Sequence, residues 1–258
     1  MSLLSPSLSG PRIALLPGRA GLAAGGPARV AAHPEADWNG ALRALEDLLG
    51  QGKAGGRAQV ILSHHFVRLF LLDPPPAWLN DREMPAWIAD RLAEPLGGTT
   101  GWRFAWDATP PGAAIPVAAL EEAALAQLAE ILGRHGLSLG GLRPWLTAAW
   151  ANRRRGLSRG NGWYGLLEPG RLTLARLDAG RLRGVRQRQM GDDPVAELRD
   201  VLAREAMLGE AGDQGALWLE QAGVGGDWSG LGPYRVAVLS QQPDAAREIG
   251  RASCRERV

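Results

Sequence analysis

Few residues in this chain stand at spacings that chemistry would need. His64 and His65 are adjacent. Neighbours on a strand point to opposite faces, so these two do not make a facial metal site by themselves. His33 and His135 add no ligand spacing. Packed or surface roles are the expectation for all of them. Glu121 and Glu122 sit side by side where a helix should begin, a placement that suits the helix dipole rather than acid–base catalysis. Glu168 precedes Pro169 and Gly170, and Gly160-Asn-Gly162 follows the same logic; both read as turns.

Two features suit binding better than catalysis. The run Asn152-Arg153-Arg154-Arg155-Gly-Leu-Ser-Arg159 is the densest charge cluster. It reads as a solvated linker, or as a contact for an acidic partner tail or anionic lipid head groups. A nucleic-acid patch would need a broader basic field and stacking aromatics. Ten tryptophans are many for this length, and Trp78, Trp87, Trp145 and Trp150 punctuate the central region. Most are expected in packing. Trp145 and Trp150 are candidates for an exposed groove that holds a partner peptide. Arg68 is expected to pair with an acid, with the lining of a groove as the alternative.

The elements that position these residues come from an ordinary composition. The 258 residues are 45% apolar and 22% charged, which suits one large domain or two small ones of a soluble globular protein. No run reaches the length of a membrane-spanning helix, and the N-terminus lacks the basic start of a secretory signal. Lysine occurs once, at Lys53, an arginine bias that reflects GC-rich coding rather than nucleic-acid binding. Residues Ile249–Val258 resemble the in-frame translation of a sequencing adapter, with Glu248 at its margin. On that reading the segment 248–258 carries no fold information and the natural C-terminus is missing. Leaving out Ile249–Val258 turns 29 basic and 27 acidic residues into 26 of each, and the net charge of +2 falls to zero. Cys254 goes with it, and the rest of the chain has neither disulfide nor thiolate metal ligand.

Strands are expected at Arg12–Leu16, Ala20–Ala24 and Ala28–Ala32, punctuated by Pro17-Gly18 and Gly25-Gly26-Pro27. Asp37 is a suitable cap for a helix Trp38–Leu49, and Ala58–Leu62 follows as a strand. The same β-β-β-α-β order returns with strands in Trp163–Leu167, Arg171–Leu177 and Leu182–Arg188. A helix opened by Asp193-Pro194 and strands at Ala216–Leu219 and Arg235–Leu239 complete it. Between the repeats, His65–Leu72 reads as a strand and Asp81–Leu92 as a helix. Trp102–Trp106 and Ala114–Val117 read as strands, and Glu121–His135 and Leu142–Trp150 as helices. The order predicts an α/β fold of two ribonuclease-H-like subdomains joined as in actin. The first would span 1–157 with an insertion and the second 158–247.

The segments Val60-Ile-Leu-Ser-His-His-Phe-Val-Arg68, Trp102-Arg-Phe-Ala, Leu142-Arg-Pro-Trp145, Trp163-Tyr-Gly-Leu-Leu-Glu-Pro-Gly170 and Leu202-Ala-Arg-Glu205 add to this. Together they resemble a branch of actin-like proteobacterial proteins related to the cytoplasmic platform components of type IV pilus, mannose-sensitive pilus and type II secretion machines. The likeness spans roughly residues 10–240. It implies a cytoplasmic scaffold, peripheral at the inner membrane. That scaffold would bind the tail of a membrane protein, with an assembly ATPase as a further partner.

Actin-like ATPases place an Asp at the end of the first strand of each half, to hold Mg²⁺ or its waters beside phosphate-binding amides. Here the first strand ends Leu15-Leu16-Pro17-Gly18, with no acid and a proline that has no N–H. The second offers only Glu168. ATP hydrolysis is therefore not expected, and nuclease chemistry fails for want of clustered acids. Gly223-Val-Gly225-Gly226-Asp-Trp-Ser-Gly230 is similar to the adenosine-binding glycine turn of actin-like ATPases, so these glycines are the candidate cofactor contacts. The reading is a non-catalytic scaffold without cofactor, a pseudo-ATPase. The alternatives are a nucleotide binder that retains ATP affinity and an actin-fold sugar or metabolite kinase.

Overall fold

The computed structural model describes residues 10–52, 55–76, 79–107, 109–110, 112–157, 161–207, 215–221 and 224–240. They fall into two compact units, one up to Thr147 and one from Ala148.

In the first unit, β1 (Arg12–Leu16), β2 (Arg19–Ala23) and β3 (Arg29–Ala32) form an antiparallel meander. The helix α1 (Trp38–Gly50) then returns the chain to β4 (Gly56–Leu62), which pairs parallel to β1. Asp37 caps α1 as expected: its Oδ1 accepts from the Gly40 N–H at 2.8 Å. Ala41, Leu42, Leu45, Leu48 and Leu49 recur at helical spacing, and all are buried where α1 packs on the meander. Burial of Leu45 or Leu48 contributes about 2 kcal/mol each.

An insertion follows β4. The strands β5 (Arg68–Leu72), β6 (Trp102–Trp106) and β7 (Ile115–Glu121) form a separate sheet in the order β5-β7-β6. The helix α2 (Met84–Leu96) packs on it through Ile88 and Leu92, against Ile115 and Val117. Pro85 is tolerated because it falls in the first turn of α2. The strand expected from His65 begins only at Arg68, because the N–H groups of Phe66 and Val67 turn back to the Ser63 carbonyl. The helix α3 (Glu122–Arg134) leads into β8 (Leu137–Pro144), parallel to β4.

The residue pattern shows no strand at β8 and predicts a helix from Leu142. The helix, α4 (Trp145–Leu157), starts after Pro144. Gly140 and Gly141 hide the strand pattern. They lie against Gln59 of β4, whose side chain occupies the space a Cβ at either glycine would need.

The second unit repeats the first. The strands β9 (Gly162–Glu168), β10 (Arg171–Asp178) and β11 (Arg181–Gln189) form the meander. The helix α5 (Pro194–Met207) crosses to β12 (Ala216–Gln221), parallel to β9, and β13 (Arg235–Ser240) runs parallel to β12. The strand orders β3-β2-β1-β4-β8 and β11-β10-β9-β12-β13 correspond strand for strand. Leu198, Val201 and Leu202 of α5 bury against Trp163, Leu172, Leu174, Leu217 and Leu219. Where the first unit places its insertion and α3, the second has one 3₁₀ turn, Trp228–Gly230, among its described residues.

Candidate functional site

Each unit places a Pro-Gly turn between its first two strands, and the two turns differ in what surrounds them. In the first unit Gly18 adopts φ +63°, and its N–H donates to the Asp37 carbonyl at 3.2 Å. Its own carbonyl accepts from the His33 N–H at 2.7 Å. A Cβ at Gly18 would stand 2.7 Å from the Glu35 carbonyl oxygen and 2.8 Å from that of His33. The turn is thus sealed onto the loop between β3 and α1. Its glycine amide is engaged, and Pro17 has none. Neither Pro17 nor Gly18 thus has a free N–H to offer a phosphate.

In the second unit the Met190 N–H makes the corresponding bond to the Gly170 carbonyl at 2.9 Å. Here a cavity of about 350 Å³ opens, lined by Leu167, Glu168, Pro169, Gly170, Met190, Gly191, Asp192, Pro194, Val224 and Gly225. Glu168, read from sequence as a turn residue, ends β9 and is 1% exposed. The amides at the mouth of α5 are engaged: Ala196 donates to Asp193 Oδ1 at 3.0 Å, and Gly191 to Glu197 Oε1 at 2.6 Å. Pro169 and Pro194 offer none. Two acids, Glu168 and Asp192, are among the residues that border the cavity. The first hairpin brings no acid of its own that could hold Mg²⁺ or its waters, and the second brings Glu168. Among the described residues no group of three or more His, Cys, Asp or Glu side chains is gathered for a metal ion.

Of the glycines proposed as cofactor contacts, Gly225 lines this cavity. Gly226 packs between Val195 and the Trp228 ring, each 2.9 Å from where its Cβ would be, so close packing accounts for it. Gly223 lies outside the described residues.

The candidate partner residues disperse. Trp145 is 7% exposed and serves the core of the first unit. Trp150 is half-buried and meets Tyr164 edge-on at 5.6 Å between ring centroids. Arg153 is committed within the second unit. Its Nε lies 2.8 Å from Glu220 Oε1, and its guanidinium donates to the Leu239 carbonyl at 2.9 Å. Arg154 and Arg155 lie on α4, while Arg159 and Trp78 lie outside the described residues.

Other singled-out residues have structural partners. His64 is 1% exposed, and its Nε2 accepts from the Leu146 N–H at 3.0 Å, capping α4. Glu122 pairs with Arg103. Arg68 was expected to pair with an acid; instead its guanidinium lies 5.2 Å from the Trp102 ring centroid. Sequence reading missed Glu205 and Glu220, each 3% exposed and each paired with an arginine, Arg186 and Arg153. An acid inside the apolar run Ala216-Leu-Trp-Leu-Glu220 was the available signal. Tyr234 lies within electrostatic reach of Glu205. Burial pushes its hydroxyl above the ordinary value of 10.0, Glu205 adds to the rise, and a hydrogen bond with Trp163 opposes it.

Two successive units of one strand order, the first with an inserted subdomain, give this chain the actin-like ATPase fold. A chain of the PilM–PilN type IV pilus biogenesis complex superposes with a TM-score of 0.66 at 14% identity, over 84% of this chain and 82% of that one. The cytoplasmic domain of EpsL, an inner-membrane component of the type II secretion system of Vibrio cholerae, gives 0.55 at 10% identity, over 94% and 93%. A Bacteroides thetaiotaomicron protein with an actin-like ATPase fold gives 0.56 at 9%, over 84% and 82%. No protein-family model matches the chain, and no curated protein matches it in sequence. At these identities the likeness establishes the fold.

Proposed function

We propose that the protein is a non-catalytic scaffold of a pilus- or type II secretion-type assembly. It works on the cytoplasmic face of the inner membrane, holding the tail of a membrane protein and engaging an assembly ATPase. The observation that carries the non-catalytic part is the sealed first hairpin. The strand end Leu15-Leu16-Pro17-Gly18 carries no acid, and Gly18 bonds to the Asp37 and His33 backbone where an actin-like ATPase would need room for phosphate. The assembly part is supported by likeness to a chain of the PilM–PilN complex and to the cytoplasmic domain of EpsL. Among the described residues no helix is long and apolar enough to cross a membrane.

Calorimetry tests both parts. ATP with Mg²⁺ should give no saturable heat in a sample shown to be folded. Saturable binding at micromolar level would overturn the pseudo-ATPase reading and make Gly225 the position to substitute. Synthetic cytoplasmic tails of inner-membrane pilus and secretion components should include one that binds, and the Trp150→Ala variant should bind it more weakly. Failure of every tail would overturn the scaffold reading.

A further inference from the structure

The outer strand of the second sheet, β11, pairs with β10 through eight of its nine residues, with Arg183 left out at a bulge, and no described strand pairs with its other edge. Every second N–H and C=O of such a strand points away from the sheet, a template for another strand. The sequence of β11, Arg-Leu-Arg-Gly-Val-Arg-Gln-Arg-Gln, carries four arginines, no acid and no proline. Two of them are held: Arg183 by Asp178 at 3.2 Å and Arg186 by the buried Glu205 at 3.1 Å. Arg181 and Arg188 are exposed and make no ion pair among the described residues. They stand near the two ends of the strand, about 24 Å apart at an extended rise.

This charge pattern selects the occupant. A second copy pairing antiparallel through β11 would set arginine near arginine across the new ladder, which is destabilising. An extended segment carrying Asp or Glu would find its backbone partners and its charges matched together. We propose that the β11 edge receives an extended acidic segment of a partner protein as a sixth strand of the second sheet. The inference is independent of the pilus-or-secretion reading, and β11 is not among the residues that reading uses.

Charged edges also serve simply to prevent aggregation, so the experiment must separate repulsion from reception. Fluorescent peptides of the strand's own length, alternating Glu and Val, would be titrated by anisotropy into the full chain. The acidic peptide should bind saturably, and binding should weaken as salt rises. The same peptide N-methylated at alternate residues keeps its charge but cannot join a ladder, and should bind at least about tenfold more weakly. The double variant Arg181→Glu/Arg188→Glu, checked for unchanged circular dichroism, should lose binding to a similar extent. No binding overturns the proposal. Equal binding of the N-methylated peptide overturns strand addition in favour of plain charge attraction. Binding of phosphatidylglycerol vesicles without binding of the peptide overturns it in favour of a lipid surface.

Discussion

Arg153 and Glu220 meet at 2.8 Å from elements 67 residues apart, with the acid 4% exposed and the base 29%. The same guanidinium reaches the Leu239 carbonyl. One side chain of α4 is thus bound to both parallel strands, β12 and β13, at the edge of the second sheet. An arginine that looked from sequence like part of a free basic patch is a structural clamp.

Arg153→Ala should cost roughly 2 kcal/mol. It leaves a buried carboxylate without its partner, and the partial exposure of Arg153 keeps the loss below that of a fully buried pair. The midpoint of urea unfolding measures it. Arg153→Met with Glu220→Leu should restore much of the loss, because no charge is then left buried. A double variant as unstable as Arg153→Ala would show that the pair is not what holds α4.

His64→Ala removes the acceptor for the Leu146 N–H at the start of α4. The expected loss is about 2 kcal/mol, from the unpaired buried donor and the lost packing. Hydrogen exchange at the Leu146 amide should accelerate in the variant. Unchanged protection there would remove His64 from its role as a cap.

Gly18→Ala and Gly25→Ala test the sealed hairpin. Both glycines have positive φ, +63° and +74°, but only at Gly18 does a Cβ meet backbone oxygen within 3 Å. Gly25→Ala should cost about 1 kcal/mol and Gly18→Ala about 2–3 kcal/mol. Equal thermal shifts would mean that the Gly18 turn has room to open.

Stability should fall as the pH rises above 10, the ordinary value of tyrosine. Tyr234 holds its proton to higher pH in the folded chain than in the unfolded one, because burial and Glu205 oppose the phenolate. Its contribution is complete below the unfolded value and is lost as the pH climbs through the folded one. Tyr234→Phe should flatten this alkaline slope. It should also cost about 1 kcal/mol at neutral pH, through the loss of the hydrogen bond with Trp163. Melting temperatures at neutral and alkaline pH, compared between the two proteins, measure both effects.

The sequence by itself determined the repeated element order. Pro-Gly turns after β1 and β9, capping aspartates before α1 and α5 and alternating apolar strands are local signals, set by φ/ψ preference and side-chain period. It also determined that the first hairpin lacks an acid, since Leu15-Leu16-Pro17-Gly18 needs no partner to be read. It did not reveal β8, whose Gly140-Gly141 pair makes sense only beside the Gln59 side chain. Tertiary structure alone decided which Pro-Gly turn is sealed and which borders a cavity, because loops distant in sequence close one and not the other. It also decided which arginines are spent and which remain at the surface. Arg153 and Arg186 are neutralised by buried acids brought from other elements, whereas Arg181 and Arg188 stand on an edge that no described strand covers. Charge can be counted along a chain, but whether it is paired depends on distances that only folding creates.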